Sequence, residues 1–320
     1  MASVSDDIPL SVGIDLGGTN IKAALVDRQG RILARDLRPT GSQEGAKAVV
    51  RHMVDGVEAV AAQGGVPVKA LAGVGVGVPA VISAQGVALL APNLHWRDFP
   101  VRAALETCLP VRVSVDNDAN VAALAEARAG SGAGCASLFF ITLGTGIGGG
   151  IVLDGRVHHG ASFDPGEIGH LCMRPDGPRC GCGQRGCLEA LASGTAMVRD
   201  ARAAIASGRP SAILRIAEAP ERITPEVICR AAREGDGLAC DIFKAAAEYL
   251  GIAIANVIHL LSPEVIAVGG GIAEAGPLLL DPIVETARRR ALPGTMEHTR
   301  VVKAQLRNDA GAIGAGLLAF

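Results

Sequence analysis

The stretch that decides the fold is Leu10-Ser11-Val12-Gly13-Ile14-Asp15-Leu16-Gly17-Gly18-Thr19-Asn20. Its first seven residues are mostly apolar and predict a buried strand, and the glycines that follow predict a tight turn. Backbone N–H groups in such a turn can bind phosphate oxygens, and the Asp15 carboxylate can hold Mg²⁺ through water. An ordinary β-turn explains the same residues equally well. No Gly-Lys-Ser or Gly-Lys-Thr follows, which excludes a Walker A loop.

The segments around this turn predict an α/β fold that opens with three antiparallel strands. The predicted strands cover residues 10–16, 21–27, 31–37, 71–78, 111–115, 137–143, 151–153 and 264–268. The predicted helices cover residues 43–63, 119–129, 188–206, 225–233 and 238–261, a further helix that ends near 290, and a final helix over 309–320.

A second apolar strand also runs into a glycine turn, which reads Gly144-Thr145-Gly146-Ile147-Gly148-Gly149-Gly150. It lies about 130 residues after the first turn, and this spacing predicts a duplicated fold with a cleft between its halves. Two glycine turns that face each other across a cleft can bind one triphosphate. In a third cluster, Gly269-Gly270-Gly271, a purine ring can lie against bare backbone. Taken alone, that cluster is more simply explained as a strand-to-helix turn.

Composition limits the class of protein. The chain has 320 residues, of which 49% are hydrophobic with one Trp and one Tyr, so it can build two lobes around aliphatic cores. We expect lobes at 1–125 and 126–304, with a C-terminal helix near 305–320 packed back on the first. The net charge of −2 gives no electrostatic basis for binding nucleic acid or an anionic membrane. No signal-peptide h-region or membrane-spanning run is visible, so we expect a cytoplasmic protein.

Four residues have the types and spacing of a metal site: His170, Cys180, Cys182 and Cys187. Thiols stay reduced in the cytoplasm, so this density favours a metal over disulfides. Zinc prefers thiolate and imidazole, and four protein ligands leave no position for water, which predicts a structural Zn²⁺. Three packed thiols and a core histidine are the alternative. A metal here would fix two nearby carboxylates, Glu167 and Glu189, which could hold a polyhydroxy substrate.

Polar residues cluster where one predicted strand meets a helix, in Asp116-Asn117-Asp118-Ala119-Asn120. One of them should cap the helix, but a cap does not explain so many polar side chains. Carboxylates at the carboxyl end of a strand point into the crevice of an open α/β sheet. Phosphoryl transfer needs a carboxylate that accepts the proton of the attacking hydroxyl, and Asp118 is the candidate general base.

Together these motifs resemble the ROK family of sugar kinases and repressors over nearly the whole chain. The resemblance is carried by Asp-Leu-Gly-Gly-Thr-Asn at 15–20, Asn-Asp-Ala-Asn at 117–120, Leu-Gly-Thr-Gly-Ile-Gly-Gly-Gly at 143–150, Gly-Glu-Ile-Gly-His at 166–170 and Cys-Gly-Cys-Gly-Gln-Arg-Gly-Cys-Leu-Glu at 180–189. It implies a two-lobed, actin-like ATPase fold (ribonuclease H-like) with a duplicated βββαβα core. The implied reaction is ATP-dependent phosphorylation of the 6-hydroxyl of a hexose.

The resemblance also implies roles for single residues. Asp118 would be the base, and His170 would use one ring nitrogen for zinc and the other for the sugar. The residues implied to hold the sugar are Asn93, Asn117, Asp118, Glu167, His170 and Glu189. Those expected to hold ATP and its Mg²⁺ are Asp15, Gly17, Gly18, Thr19, Gly144, Thr145, Gly146, Gly270 and Gly271.

Glucose is the first-choice substrate, because Asn93-Leu94-His95-Trp96-Arg97 is similar to glucokinase members of the family. The alternatives are an N-acylmannosamine kinase, a fructose kinase and a sugar-sensing regulator without catalysis. They arise because Ala80, Phe163 and Pro165 depart from the family pattern beside the implied sugar pocket. About a dozen residues precede the first phosphate motif, which favours a kinase over a DNA-binding repressor. The family resemblance suggests a homodimer or homotetramer.

Overall fold

The computed structural model describes residues 9–163 and 165–320 of the chain. The described residues divide into two compact units. The first comprises those of Met1–Leu138, Gly150–Pro165 and Gln305–Phe320, and the second comprises Phe139–Gly149 and Gly166–Ala304. The expected absence of a leader falls on residues 1–8, outside the described part. The lobe boundaries drawn from the sequence remain predictions.

The described residues form twelve strands and ten α-helices. The strands are β1 (Leu10–Leu16), β2 (Asn20–Asp27), β3 (Ile32–Pro39), β4 (Val74–Val78), β5 (Ala88–Ala91), β6 (Trp96–Phe99), β7 (Val113–Asn117), β8 (Ser137–Leu143), β9 (Ile147–Leu153), β10 (Arg156–Val157), β11 (Val265–Gly269) and β12 (Arg300–Lys303). The α-helices are α1 (Ala46–Gln63), α2 (Val101–Glu106), α3 (Asp118–Ala129), α4 (Leu188–Ala192), α5 (Gly194–Ala206), α6 (Ile213–Ala217), α7 (Pro225–Arg233), α8 (Gly237–Leu261), α9 (Pro277–Arg290) and α10 (Ala310–Leu318).

The first unit is built on a five-stranded sheet with the order β3-β2-β1-β4-β7. Strands β1, β2 and β3 pair antiparallel, as predicted, and β1, β4 and β7 run parallel. Strand β4 is buried at every position because it lies inside the sheet, whereas β3, at the edge, alternates between exposed residues and residues that are buried or half-buried. The carboxyl ends of β1 and β7 therefore carry the glycine turn and the 117–120 motif on neighbouring parts of one sheet.

Helices cover both faces of this sheet. Val12 and Ile14 share a core cluster with Val49 and Met53 of α1. Residues of alternate parity point the other way, and Ser11 Oγ donates to the carbonyl of Gly316 in α10 at 2.7 Å. Helix α10 lies so close that a side chain at Gly13 or Gly75 would strike its backbone carbonyls. The C-terminal helix thus packs on the N-terminal sheet.

The second five-stranded sheet has the order β10-β9-β8-β11-β12. Strand β9 begins at Ile147, so Gly148, Gly149 and Gly150 belong to a strand; the prediction from the sequence that they form a turn is wrong. A Cβ at Gly150 would lie 2.8 Å from the Ala119 carbonyl oxygen, which explains why glycine occupies this position of the strand. Strand β11 is buried throughout and pairs parallel with β12.

The second unit is otherwise mostly helical, as predicted, with one correction. The single helix expected over 188–206 is two helices, α4 and α5. Ser193 between them is extended (φ −73°, ψ 168°), and its side chain accepts a hydrogen bond from the N–H of Ala196. A serine that caps a helix in this way competes with continuation of the preceding one, which ends α4.

Candidate functional site

The 117–120 motif begins helix α3 directly after strand β7. Asn117 is the capping residue: its Oδ1 accepts hydrogen bonds from the N–H groups of Ala119 (2.8 Å) and Asn120 (3.2 Å). Its Nδ2 donates to the carbonyl of Ala80 at 3.2 Å. The two ends of one amide therefore fix both the helix start and the preceding loop. This leaves Asp118 as the first residue of the helix, with its carboxylate at the carboxyl end of the sheet.

Asp118 has an unusual protonation equilibrium. The pKa of Asp118 is raised from 3.8 to about 6, mainly by removal from water and in part by the negative charge of Asp15. A hydrogen bond from the Ala119 N–H to Asp118 Oδ1 (2.9 Å) opposes the shift. A carboxylate with a pKa near neutrality is a stronger proton acceptor than an ordinary aspartate, yet it is still ionised at pH 7. The environment therefore suits a general base.

The first glycine turn is held in place within the first unit. Gly17 donates its N–H to the carbonyl of Asn20 (3.0 Å), and Thr40 Oγ1 donates to the Gly17 carbonyl (2.6 Å). A Cβ at Gly18 would lie 3.3 Å from the Cβ of Asn93. The structure thus brings one predicted sugar ligand, the exposed Asn93, next to the predicted phosphate turn that contains Gly17, Gly18 and Thr19.

Two residues beside Asp15 were not singled out from the sequence. Lys22 Nζ lies 3.1 Å from Asp15 Oδ2 and also donates to the carbonyl of Asn308 at 3.1 Å. A Cβ at Gly311 would lie 2.7 Å from the Asp15 carboxyl carbon. The available signal for Lys22 was a lysine inside an otherwise apolar strand. Nothing local pointed to Gly311, since its partner lies on β1.

The second glycine turn lies in the second unit and borders a cavity. Gly144 donates its N–H to the Gly146 carbonyl (3.0 Å), and the Thr145 carbonyl accepts from Thr195 Oγ1 (2.8 Å). A cavity of about 660 Å³ lies against this turn. Its lining includes Gly144, Thr145, Thr195, Arg199, Arg202 and Gly271. Two of the predicted nucleotide-binding segments, the turn at 144–146 and the 270–271 cluster, therefore meet at one cavity of drug-sized volume.

Gly146 and Gly270 allow other groups to pack closely against the backbone of this region. A side chain at Gly146 would strike the carboxylate of Glu189, and one at Gly270 (φ 87°) would strike the backbone of Leu143. Positive φ and a close backbone approach both require glycine at 270.

The predicted metal ligands converge. His170 Nδ1 lies 3.8 Å from Cys180 Sγ, and Cys182 Sγ lies 3.7 Å from Cys187 Sγ. One ligand atom from each of these four residues lies within 4.8 Å of every other. Ligands at about 2.3 Å from a tetrahedral zinc are about 3.7 Å apart, so the cluster fits this ion.

The three thiols of the cluster have shifted pKa values, and that of Cys182 is lowered, mainly by a backbone hydrogen bond from Gln184. Burial raises the pKa of the Cys180 thiol and raises that of Cys187 to about 12. A dication is the ordinary way to hold such thiols as thiolates at neutral pH. The donor set and its spacing are those of a closed structural site.

The two predicted sugar carboxylates of the second unit lie beside this cluster. His170 turns its second ring nitrogen, Nε2, toward Glu167 Oε2 at 3.7 Å. Glu189 Oε2 accepts a hydrogen bond from the Ile147 N–H at 3.0 Å, and Glu189 Oε1 lies 3.7 Å from Cys180 Sγ. Glu189 thus connects the cysteine cluster to the second glycine turn, a link that sequence spacing did not reveal.

The three departures from the family pattern lie in the first unit. Ala80 is buried and its carbonyl accepts from Asn117. Phe163 has φ 61°, a left-handed conformation that favours glycine and that a bulky side chain adopts at a cost. Its ring lies 5.5 Å from the ring of His159. Pro165 contacts Gly160, whose Cβ position is 3.5 Å from the proline ring. Phe163 and Pro165 make this loop bulkier and stiffer.

Among the helices of the described residues, none combines the length and apolar character needed to cross a membrane.

Comparison with known proteins identifies the family. The model of the ROK family matches residues 11–320. The chain is 38% identical to a glucokinase of Halalkalibacterium halodurans, over 96% of this chain and 94% of that protein. It superposes with a TM-score of 0.81 and 36% identity on a ROK family glucokinase from Streptomyces griseus, crystallised with glucose and AMPPNP, covering 96% and 98% of the two chains.

A ROK family transcriptional regulator, a homologue of the E. coli MLC protein, gives a TM-score of 0.86 at 30% identity. That match covers 99% of this chain and 79% of the regulator. These likenesses confirm the predicted α/β, actin-like ATPase fold. The chain belongs to the ROK family.

Proposed function

We propose that this protein is an ATP-dependent hexose kinase that transfers the γ-phosphoryl group to the 6-hydroxyl of glucose. The observation that carries the proposal is the Asp118 carboxylate, which has a pKa raised to about 6 and stands at the start of α3 beside the first glycine turn. Full-length similarity to the Halalkalibacterium glucokinase and to the glucose-bound Streptomyces structure supports glucose as the sugar.

Asp118 orients the 6-hydroxyl and accepts its proton as the oxygen attacks the γ-phosphorus in line. Phosphoryl transfer requires little covalent chemistry from the protein, so positioning and charge neutralisation supply most of the rate. Asp15 would hold Mg²⁺, which would supply charge neutralisation of the phosphates. Lys22, which already pairs with Asp15, adds a positive charge at the same place.

Five residues besides Asp118 bind the sugar in this proposal. The amides of Asn93 and Asn117 can donate to sugar hydroxyl oxygens, and the carboxylates of Glu167 and Glu189 accept from sugar hydroxyl groups. His170 is the fifth proposed ligand. Carboxylates and an imidazole suit this task because each sugar hydroxyl both donates and accepts. His170 Nε2 is available to the sugar because Nδ1 faces the cysteine sulfurs.

ATP occupies the cavity of about 660 Å³ in the second unit. The purine lies against Gly270 and Gly271, and the phosphates extend to the N–H groups of Gly144, Thr145 and Gly146. The first turn, with Gly17, Gly18 and Thr19, supplies further backbone N–H groups for phosphate oxygens. Arg199 and Arg202 line the same cavity and favour an anionic ligand.

A structural Zn²⁺ on His170, Cys180, Cys182 and Cys187 is part of the proposal. It keeps the loop that carries Glu167 and Glu189 rigid and takes no part in the chemical step. We also propose a cytoplasmic protein, since ATP and reduced thiols are found together there, and a homodimer or homotetramer. Light scattering coupled to size-exclusion chromatography tests the assembly.

A coupled assay of ADP formation over a panel of hexoses tests the function. We expect turnover with glucose to exceed that with fructose, mannose, N-acetylmannosamine and N-acetylglucosamine. If the enzyme preferred an N-acylated mannosamine or fructose, that sugar would replace glucose as the proposed substrate, and the proposed kinase activity would stand. Absence of turnover with every hexose would overturn the proposal.

A sugar-sensing regulator that binds hexose without catalysis is the second candidate. The left-handed Phe163 and the proline at 165 favour it, because they reshape a loop beside the implied sugar pocket. Similarity to the transcriptional regulator is compatible with it. If calorimetry showed that the protein binds glucose while the coupled assay found no turnover, the result would favour this candidate over the kinase.

A further inference from the structure

Asp116 precedes the proposed machinery in sequence and is not part of it, yet it is the most completely bonded carboxylate of the 116–120 motif. Its side chain is 5% exposed. Oδ1 accepts from the N–H of Asn117 (2.7 Å) and from Asn120 Nδ2 (2.9 Å). Oδ2 lies 2.7 Å from His159 Nε2. A buried carboxylate with both oxygens engaged has one orientation, so it can act as a fixed point for the residues around it.

The partner of Asp116 comes from another part of the chain. His159 follows the short strand β10, which is paired with β9, and the N–H of His158 donates to the Ile151 carbonyl at 2.8 Å. The His159 side chain is 35% exposed, and the Phe163 ring lies on one side of it at 5.5 Å. The hydrogen bond to Asp116 is the largest cause that raises the pKa of His159, which favours the charged, donating imidazolium.

The hydrogen bonds form a continuous path to the proposed base. His159 Nε2 is hydrogen-bonded to the Asp116 carboxylate, which in turn accepts a hydrogen bond from the N–H of Asn117. Asn117 holds the first N–H groups of α3 and the Ala80 carbonyl. Asp118 is the next residue, so the backbone orientation at Asn117 decides where its carboxylate points.

We infer that His159 is a positioning residue for phosphoryl transfer: its hydrogen bond to Asp116 fixes the Asn117–Asp118 backbone so that Asp118 meets the sugar hydroxyl. The inference rests on the proposed hexose kinase function. It assigns a role to a histidine outside the metal cluster. Because a small misplacement of a base is costly for transfer but not for binding, the effect of losing this bond falls on kcat.

Two amide substitutions separate this role from a general structural one. The amide nitrogen of Gln lies where the imidazole has Nε2, so His159→Gln keeps a donor for Asp116. Asn at this position is also polar, but its side chain is one methylene shorter than that of Gln and does not reach the Asp116 carboxylate. His158→Asn is the matched control, because His158 is the exposed neighbour on the same segment.

The measurements are kcat, both KM values, the thermal midpoint and the glucose Kd from fluorescence of Trp96, the only tryptophan. We expect His159→Asn to lower kcat by about 10- to 100-fold while the glucose Kd stays within about threefold. His159→Gln should stay within about fivefold of the wild-type kcat, and His158→Asn should be unchanged.

Three results would overturn the inference while leaving the kinase proposal intact. One is a wild-type kcat in His159→Asn. Another is a kcat of His159→Gln that is as low as that of His159→Asn, in a His159→Gln variant that folds normally. The last is a loss of glucose affinity as large as the loss in kcat. If His159→Asn does not fold, His159→Ala takes its place with the same expected values. A wild-type protein that turns over no hexose defeats the proposed function, and this inference with it.

Discussion

Glu189 accepts a hydrogen bond from the backbone N–H of Ile147 at 3.0 Å, and so joins the start of α4 to the second glycine turn. Its other oxygen faces Cys180 Sγ. One side chain thereby connects the cysteine cluster, a predicted sugar ligand and a predicted phosphate turn, all within the second unit. Loss of its charge and loss of its hydrogen bond should have separable effects.

Glu189→Gln retains an acceptor for Ile147 but removes the negative charge. We expect the KM for glucose to rise by about tenfold or more, because hydrogen bonds to charged groups contribute about 1.5–3 kcal/mol. The KM for ATP should change little. Glu189→Ala should in addition raise the KM for ATP and lower the thermal midpoint, because the turn at 144–146 loses its support. Equal ATP KM values in the two variants would contradict this link.

Removal of the metal should cost both stability and sugar affinity. We expect elemental analysis of freshly purified protein to find one zinc per chain. Cys180→Ser or a strong chelator should lower the thermal midpoint and weaken glucose binding, since the loop with Glu167 and Glu189 loses its anchor. Cys108→Ser is the control, because Cys108 is exposed and outside the cluster. A zinc-free protein with normal stability would contradict the prediction.

Replacement of the proposed base should abolish turnover and spare binding. We expect Asp118→Asn to lower kcat by about 10²–10⁴-fold, the usual contribution of a positioned base. Glucose Kd from Trp96 fluorescence should remain within a few-fold of wild type. Near-normal turnover would remove Asp118 from the base role.

The same variant should be more stable than wild type above pH 7. The pKa of Asp118 is raised in the folded state from 3.8 to about 6, so folding disfavours its charged form. The wild-type contribution is fully favourable below 3.8 and is lost as pH rises through about 6. A shift of this size corresponds to about 3 kcal/mol, which partial exposure reduces to about 1–2 kcal/mol. Urea denaturation at pH 7.5 and 5.0 should show the advantage shrinking at the lower pH.

The pH dependence of catalysis follows from the same group. We expect kcat/KM for glucose to fall tenfold per pH unit below about pH 6, because protonated Asp118 cannot accept the hydroxyl proton. Saturating ATP and a pH-independent coupling system isolate this ionisation. A profile that stays flat down to pH 5 would show that Asp118 is ionised throughout or is not required.

His159 should make stability depend on pH in a more alkaline range than Asp118 does. Its pKa is raised in the folded state by the hydrogen bond from its ring to Asp116. Such a contribution is fully present below the ordinary value of 6.5 and is lost as pH rises through the raised value. The stability advantage of wild type over His159→Gln should therefore shrink on the alkaline side. An advantage that is constant from pH 6 to pH 9 would contradict the ion pair.

Much of the local architecture was predictable because it depends on near neighbours in the chain. The apolar run before Asp15 predicts β1, and the polar residues after β7 predict a helix cap, which Asn117 supplies. The glycines at 148–150 were misassigned to a turn. They look like turn residues in sequence, but they lie in β9, where a Cβ at Gly150 would strike the Ala119 carbonyl oxygen of α3. Ser193 was overlooked as a cap within a long helical pattern.

The sequence by itself determined the family, the αβ pattern and the spacing of the four metal ligands, since each rests on residue types at short separations. Only the tertiary structure decided which distant groups meet. Lys22 reaches the carbonyl of Asn308, Glu189 reaches Ile147, and His159 reaches Asp116. Such contacts join residues that are tens to hundreds of positions apart. Their partners are selected by sheet order and helix packing, which leave no periodic signal in the chain.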